Sequence, residues 1–567
     1  MDDRWWTDDP LLRELVPIVR APTGRSSAGY PYLARPAWAR LRDWVPHVLG
    51  AGLRVWHATD RIASADPDGD VGPALQVVRQ VVNTAAITAP PDLWLLHHVL
   101  AALARAGWLG RLVDGLDAVP DPLRPDVTLL LARGYLVRTG VAGVRWSDEP
   151  TAHRVRLAHP PPVAPIDLSA RWRSALAGAP TDLGPLADAV AGPIPDADHP
   201  APAWVATPED LALGARLVPI VLGLRAADRV PALLAAARID EDALRPLVPA
   251  LAERVLATLT AAGWVEGHAL TAIGRRALVK GPGPFGIIEA YHPYVAALPA
   301  LWAGGGRVHV ARAANVAASQ DANRATFERA NDALDRYCAD TGFRYTVFVE
   351  HAVGRGEAIR QRYARSGDAV AYVGADLEPA AIDAARAEVA AGRLPAAVRF
   401  VEADIADPGT LVRALQAAGL DPARAVMVVG NGFHEVRDRT DARMIEVFRG
   451  YAAAGITLLL TEETALSVDD LLRTAWNTYH ASFRYVHERS GQGLRPQGPS
   501  TGAIPGLGPP LPTSWVECAT RAGYVELRRY GSRSRTIYPY RRADGHNPSI
   551  SANLFLVPPD RPQEPPG

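Results

Sequence analysis

Cysteine is almost missing from this 567-residue sequence, which contains only Cys338 and Cys518. Two cysteines cannot build a disulfide framework or a zinc site of cysteine ligands, so both are excluded. An excess of one charge is also missing, because 60 Lys and Arg balance 61 Asp and Glu and leave a formal net charge of -1. The chain therefore carries no overall electrostatic attraction for nucleic acid or for an acidic membrane surface.

Long hydrophobic runs are absent as well. No stretch of 18 consecutive apolar residues occurs, so the sequence predicts no transmembrane helix and no membrane partner. The first ten residues, MDDRWWTDDP, are acidic and lack the apolar core of a secretory signal. These absences lead us to expect a cytoplasmic protein, and the length of the chain leads us to expect about three domains.

The most informative stretch alternates strands with helices and lies in the second half of the chain. Thr346 to Val349 is an apolar, β-branched run of the kind that forms a strand buried on both faces. Gly354 and Gly356 follow it in a tight turn, where the missing Cβ lets backbone N–H groups approach a ligand. A helix and a second strand, Ala369 to Gly374, come next. The order predicts a doubly wound α/β fold.

Carboxylates follow two consecutive strands of this stretch. Asp376 lies about 20 residues past the glycines, where doubly wound folds place an acid against a ribose diol. Asp404 follows the third strand, Val398 to Glu402, and suits the exocyclic amine of adenine. The glycines lack the spacing G-x-G-x-x-G and no Lys-Ser/Thr follows them, so a pyrophosphate or triphosphate is disfavoured. The pattern predicts an adenosine ligand.

This stretch resembles class I S-adenosylmethionine (SAM)-dependent methyltransferases, whose first motif joins a strand-ending acid to a Gly-x-Gly turn. The acid is Glu350 here, although His351 and Val353 stand where small residues are usual. The resemblance implies a seven-stranded Rossmann-like class I methyltransferase domain of α/β class with SAM as cofactor. A sheet of this shape that has lost its ligand is the open alternative. The implied SAM-binding residues are Glu350, Gly354, Gly356, Asp376, Asp404 and Asn431.

The chain before the α/β domain is predicted to be mostly helical. Residues 1–150 are rich in tryptophan and are interpreted as a helical, winged-helix-like domain. A Pro-rich connector with one helix near Leu168 to Ala177 covers residues 151–206. A winged-helix-like module with linker helices takes residues 207–314, and the SAM-dependent methyltransferase domain takes residues 315–567.

The unit after residue 206 resembles the winged-helix module that precedes the catalytic domain in many small-molecule methyltransferases. A winged helix can also bind DNA, for which a basic recognition helix is required. The predicted helix, Leu244 to Ala262, carries Arg245 and Arg254 against Glu253 and is otherwise mostly apolar. Such a face favours a protein core or a second copy of the chain. We therefore expect no nucleic-acid partner, and a homodimer through the N-terminal modules.

Two further predicted strands, Ala425 to Val429 and Ile456 to Leu460, end in polar loops, and the first of these loops would face the transferred methyl group. His434 in the first loop is the predicted general base, because its ordinary pKa lies near neutral pH. Asn431 is expected to orient the substrate or the SAM amino group. Glu462 and Glu463, after the fifth strand, would hold a substrate or a metal, or be solvated.

The segment from Asn477 to Pro496, with Gly432 to Glu435, resembles the metal-dependent C-methyltransferase domains of apratoxin- and gephyronic acid-type polyketide synthase loading modules. In that family a mononuclear metal acts on a malonyl-type substrate and stabilises its enolate. The resemblance implies His434 and His480 as catalytic residues and, together with Gln492, as ligands of an iron or manganese ion.

The function expected from these resemblances is C-methylation of a small molecule or carrier-protein-bound acyl substrate in secondary metabolism. Metal-free O- or N-methylation, with His434 as base, is the first alternative. A lid hydrogen-bonded through His480 and His487 is the alternative for that segment, because residues seven apart share a helix face. A non-catalytic regulator that senses a ligand or binds DNA is the alternative of another class.

Overall fold

An eight-stranded sheet forms the centre of the second half of the chain in the structure, a computed structural model. The structure describes residues 5–25, 31–44, 49–66, 70–157, 167–192, 194, 205–304, 308, 312–437, 440–474, 476, 478, 480–496, 513–533 and 551–561. In chain order the strands are β1 Val347–His351, β2 Ala371–Asp376, β3 Arg399–Glu402, β4 Ala425–Gly430, β5 Thr457–Glu463, β6 Val525–Glu526, β7 Ser532–Arg533 and β8 Ser551–Val557.

The strands lie in the order β6-β8-β5-β4-β1-β2-β3, and β7 pairs with β8 beside this path. β1 to β5 are parallel to one another, whereas β8 is antiparallel to β5, β6 and β7. The predicted α/β fold with five parallel strands is confirmed. The sheet has one strand more than the seven predicted, because the two-residue strand β7 joins it.

Helices cover both faces of the sheet, which explains why its central strands are continuous apolar runs. Met427 and Val429 of β4 belong to one core cluster, whereas Val426 and Val428 belong to the cluster on the opposite face. The carboxyl ends of β1 to β5 therefore form one edge, where doubly wound folds bind ligands. The helices of this half are Arg312–Thr341, Glu357–Ser366, Pro379–Ala390, Pro408–Ala417, Asp441–Ala453, Val468–Thr474, His480–Ser490 and Trp515–Arg521.

The first half of the chain is mostly helical, as predicted. Three short antiparallel strand pairs interrupt the helices: Gly24–Arg25 with Pro31–Tyr32, Leu136–Thr139 with Gly143–Trp146, and Val265–Glu266 with Ala269–Leu270. The helices are Pro10–Val19, Arg35–Trp44, Leu49–Ala65, Gly72–Arg105, Trp108–Asp114, Arg124–Ala132, Pro150–Leu157, Leu168–Leu176, Gly184–Val190, Pro208–Ala226, Val230–Ala236, Pro249–Ala261, Ala272–Lys280, Pro282–Glu289, His292–Ala296 and Leu298–Trp302.

Three of these helices differ from the prediction. The predicted connector contains Pro150–Leu157 and Gly184–Val190 besides the expected helix at Leu168–Leu176. The helix predicted from Leu244 begins only at Pro249, because a proline disfavours helical geometry in the residue before it and this segment contains two. Within the described part of the chain, no helix is both long and apolar enough to cross a membrane.

The segment after β5 completes the core of the helical half. Leu466, Val468, Leu471, Trp476, Ala481, Tyr485 and Val486 belong to the same hydrophobic cluster as the buried side chains of the long helix Gly72–Arg105. This segment forms two helices, Val468–Thr474 and His480–Ser490, with a break between them. One segment of the second half is therefore packed into the core of the first half.

Candidate active site

The turn after β1 has the backbone shape that its glycines allow. Gly354 and Gly356 have φ values of 48° and 76°, in the left-handed region that favours glycine. A Cβ on Gly356 would lie 2.7 Å from Cδ1 of Leu394, so a larger residue would clash as well as strain the backbone. The backbone N–H of Gly354 donates to Oδ2 of Asp376 at 3.3 Å. The structure thus brings together the predicted turn and the predicted ribose-binding acid.

Asp376 and Asp404 lie at neighbouring strand ends, as predicted. Oδ1 of Asp376 accepts from the backbone N–H of Glu378 at 3.0 Å, and its carbonyl accepts from Ala403 N–H at 2.9 Å. Burial raises the pKa of Asp376, against the opposing effect of the backbone donors. Asp404 is exposed, and its Oδ1 accepts from the N–H of Ala406 at 2.8 Å. Each carboxylate has room for further donors, because a carboxylate accepts about four hydrogen bonds.

Glu350 lies inside the fold, behind the glycine turn. Its carboxylate is buried and accepts from the backbone N–H of Ile359 at 2.8 Å, in the first turn of helix Glu357–Ser366. Burial raises the pKa of Glu350 to about 8, although backbone donors oppose this. Glu350 therefore holds the helix that follows the glycine turn.

A buried histidine–carboxylate pair lies at the ends of β4 and β5. Nδ1 of His434 is 2.8 Å from Oε2 of Glu462, and Oε1 of Glu462 accepts from the backbone N–H of Phe433 at 2.6 Å. Glu462 is fully buried, and His434 is 6% exposed. Asn431 begins the loop in the left-handed region, with φ of 56°, and its N–H donates to the carbonyl of Thr461 at 2.8 Å.

The surroundings make His434 a stronger base than an ordinary histidine. Burial acts to lower its pKa, but the negative charge and hydrogen bond of Glu462, aided by Glu435 and Glu463, raise it above the usual value. A proton on Nδ1 shared with Glu462 leaves Nε2 as the basic nitrogen. Sequence reasoning identified His434 but missed Glu462 as its partner. Only the position of β5 next to β4 could have revealed it.

Helix His480–Ser490 covers this pair. The ring of His487 lies 5.0 Å from that of His434 at 69°, and 4.1 Å from the ring of Phe483. His480 stacks on Phe483 at 5.4 Å, and its Nε2 is 3.6 Å from Oε2 of Glu463. Burial holds the pKa of His487 well below its usual range and raises that of Glu463 to about 8. The two histidines share a face, as their spacing predicted.

Gln492 joins the helical half to the site. Its Oε1 accepts from the hydroxyls of Tyr291 at 2.7 Å and Ser490 at 2.9 Å, while its Nε2 donates to Glu435. The two lone pairs of the amide oxygen are thus both used, so Gln492 in this arrangement does not fit the role of metal ligand. Among the described residues, no group of three or more His, Cys, Asp or Glu side chains is placed to hold a metal ion.

Comparisons with known proteins give weak likenesses. No protein-family model matches the sequence, and no significant match to a curated protein was found. Among solved structures, NcsB1, an O-methyltransferase from neocarzinostatin biosynthesis in complex with S-adenosylmethionine and 2-hydroxy-5-methyl naphthoic acid, is 16% identical, with a TM-score of 0.32, over 58% of this chain and 92% of its own. The DszA carbon methyltransferase is 13% identical, with a TM-score of 0.34, over 82% and 88%. TM-scores this low carry no argument about function.

Proposed function

We propose that this protein is a SAM-dependent methyltransferase in which His434, paired with Glu462, is the general base for a small-molecule acceptor. One observation carries the proposal: the buried His434–Glu462 pair lies on the same sheet edge as the turn at Gly354 and Asp376. A nucleotide-type site and a basic side chain thus converge where parallel sheets bind ligands.

The residues at the ends of β1 to β3 fit the adenosine part of SAM. Asp376 would accept hydrogen bonds from the ribose hydroxyls, and the exposed Asp404 would accept from the adenine amine. The glycine turn lets the backbone come close to the cofactor. When bound, SAM supplies a methyl group on a positively charged sulfur, which is an electrophile ready for in-line displacement.

His434 would remove the proton that the acceptor loses. As the acceptor atom bonds to the methyl carbon, the carbon–sulfur electron pair goes to sulfur, and the acceptor proton moves to Nε2 of His434. Glu462 stabilises the imidazolium that forms, because its carboxylate is 2.8 Å from Nδ1 in a site that excludes water. General-base catalysis of this kind contributes about 10²–10⁴-fold to the rate.

The acceptor atom is proposed to be oxygen or nitrogen. An imidazole with a raised pKa suits an O–H or N–H proton, whereas a carbon acid needs an electrophile that stabilises the enolate. A metal ion could be that electrophile, but Oε1 of Gln492, one of its predicted ligands, already accepts from the hydroxyls of Tyr291 and Ser490. This weighs against a metal at this position. C-methylation through iron or manganese bound by His434, His480 and Gln492 stays a prediction from the sequence. Stoichiometric metal in protein purified without chelator, and activity lost to chelators, would restore it.

Calorimetry with SAM is the first test. The wild type should bind SAM, and Asp376→Ala should weaken binding about 10- to 100-fold, because charge-assisted hydrogen bonds are lost. Asp383→Ala is the matched control, since this exposed aspartate pairs with Arg386 within helix Pro379–Ala390. If the wild type does not bind SAM, the proposed function is wrong. If the wild type binds SAM and the Asp376→Ala variant binds it equally well, the assignment of Asp376 to the ribose is wrong.

A radiolabelled-methyl assay over phenols, amines and acyl thioesters is the second test. With an acceptor that the wild type methylates, His434→Asn should lower kcat about 10²–10⁴-fold and leave SAM affinity unchanged. His153→Asn is the control, because the side chain of His153 is exposed. A His434 variant with wild-type turnover would rule out its role as base.

A further inference from the structure

Two buried carboxylates of the helical half hold the ends of helix His480–Ser490, which covers His434. Asp92 and Asp126 have no solvent exposure, and neither belongs to the sheet. Removing a carboxylate from water is unfavourable unless partners replace its hydration. For each carboxylate some of these partners lie on the helix: Ser482 for Asp92, and Tyr485 and Arg489 for Asp126.

Asp92 holds the beginning of the helix. Its carboxylate accepts from both the backbone N–H and the hydroxyl of Ser482, and it pairs with Arg133. Arg133 in turn donates to the carbonyl of Thr478 at 3.0 Å, and its guanidinium lies 4.5 Å from the ring centre of Trp476. The helix start is therefore fixed through both backbone and side chain.

Asp126 holds the other end. Oδ1 accepts from the hydroxyl of Tyr485 at 2.9 Å, while Oδ2 accepts from the indole N–H of Trp302 at 3.0 Å and pairs with Arg489. Arg489 also donates to the carbonyl of Pro122 at 2.8 Å. Because Ser482 and Tyr485 lie one turn apart, the two carboxylates fix the rotation of the helix as well as its position.

We propose that Asp92 and Asp126 are positioning residues, which hold helix His480–Ser490 so that His487 packs edge-on against His434 and excludes water from the His434–Glu462 pair. The helical half would then be part of the active site without itself touching the reacting atoms. The proposal rests on the proposed function only in treating His434 as the base.

Site-resolved labelling with diethyl pyrocarbonate, read by mass spectrometry, tests the packing without any methyl acceptor. This reagent acylates accessible imidazoles, and His487 is only 2% exposed. Tyr485→Phe removes one hydroxyl and should raise the labelling rate of His487 about fivefold, the population change expected for one buried hydrogen bond. Adding Ser482→Ala should raise it further. His98, buried in the helical half, should stay protected in every variant.

Tyr135→Phe is the matched control, because the Tyr135 hydroxyl is buried and donates to the Ala206 carbonyl at 2.8 Å, away from the helix. It should leave His487 protected. Where the wild type has an acceptor, Tyr485→Phe should lower kcat and leave KM for SAM unchanged. Equal protection of His487 in all proteins, or labelling of His98 in step with His487, would overturn the proposal. Failure of the wild type to bind SAM would instead overturn the proposed function.

Discussion

Carboxylates lie at the ends of the parallel strands or in the loops that follow them, and the surroundings of four of them suggest different roles. Glu350 is buried and bonded to the backbone of the next helix, Asp376 links two loops, Asp404 faces solvent, and Glu462 pairs with His434. The sequence predicted acids at this edge. It could not predict which of these acids is buried and which is exposed, because the burial and the partners of each side chain depend on the order of the strands in the sheet.

Glu350 should make the protein less stable as the pH rises. Its pKa is about 8 in the folded state against 4.5 ordinarily, so the folded protein retains a proton that the unfolded chain has lost. The stability contribution is therefore present below pH 4.5 and is lost as the pH rises through about 8. At pH 8, Glu350→Gln should unfold at a higher urea concentration than the wild type, with a free energy of unfolding larger by at most about 4 kcal/mol. At pH 5 the difference should be smaller.

The same comparison has a clear contrary result. If the gap between the two unfolding midpoints is equal at pH 5 and pH 8, the Glu350 carboxyl is ionised in the folded protein. Asp383→Gln, on an exposed helix, provides the baseline.

At the scale of elements, the sequence predicted those strands that depend on residues close together in the chain. The strands β1, β2 and β4 were predicted from apolar runs. The start of helix Pro208–Ala226 is also decided locally, because the hydroxyl of Thr207 accepts from Asp210 N–H at 3.1 Å. The break between Val468–Thr474 and His480–Ser490 was missed. At Thr478 the backbone is bonded to Arg133, which lies 345 residues away, and no local pattern records such a contact.

The unit within residues 207–314 that the sequence predicts to be winged-helix-like should not bind DNA. On helix Pro249–Ala261, the Arg254 guanidinium donates to the carbonyls of Val190 and Gly192, and Arg245 before it pairs with Asp242 at 2.6 Å. These cations are engaged within the chain. Fluorescence anisotropy with a random duplex should show no binding between 50 and 200 mM salt. Binding whose affinity falls with salt by a slope worth several phosphates would contradict this prediction.

At the scale of the whole molecule, the two halves should fold together. Seven apolar residues of segment 466–486 lie in the core of the helical half. A fragment of residues 315–567 would expose them, so we expect it to aggregate or bind a hydrophobic dye, and to bind SAM poorly. A soluble fragment with wild-type SAM affinity would show that the halves are independent. Sedimentation of the full chain would test the homodimer expected from the sequence.

The position of segment 466–486 in the core of the helical half also determines the order in which the protein can fold during synthesis. Residues up to Trp302 leave the ribosome before segment 466–486 exists, with about 165 residues still to be added. At typical rates of 5–20 residues per second, the delay is about 10–30 s. For that time the apolar side chains of the helical half that segment 466–486 covers in the finished protein stay exposed to water, and exposed apolar surface of this kind favours aggregation and binding by chaperones.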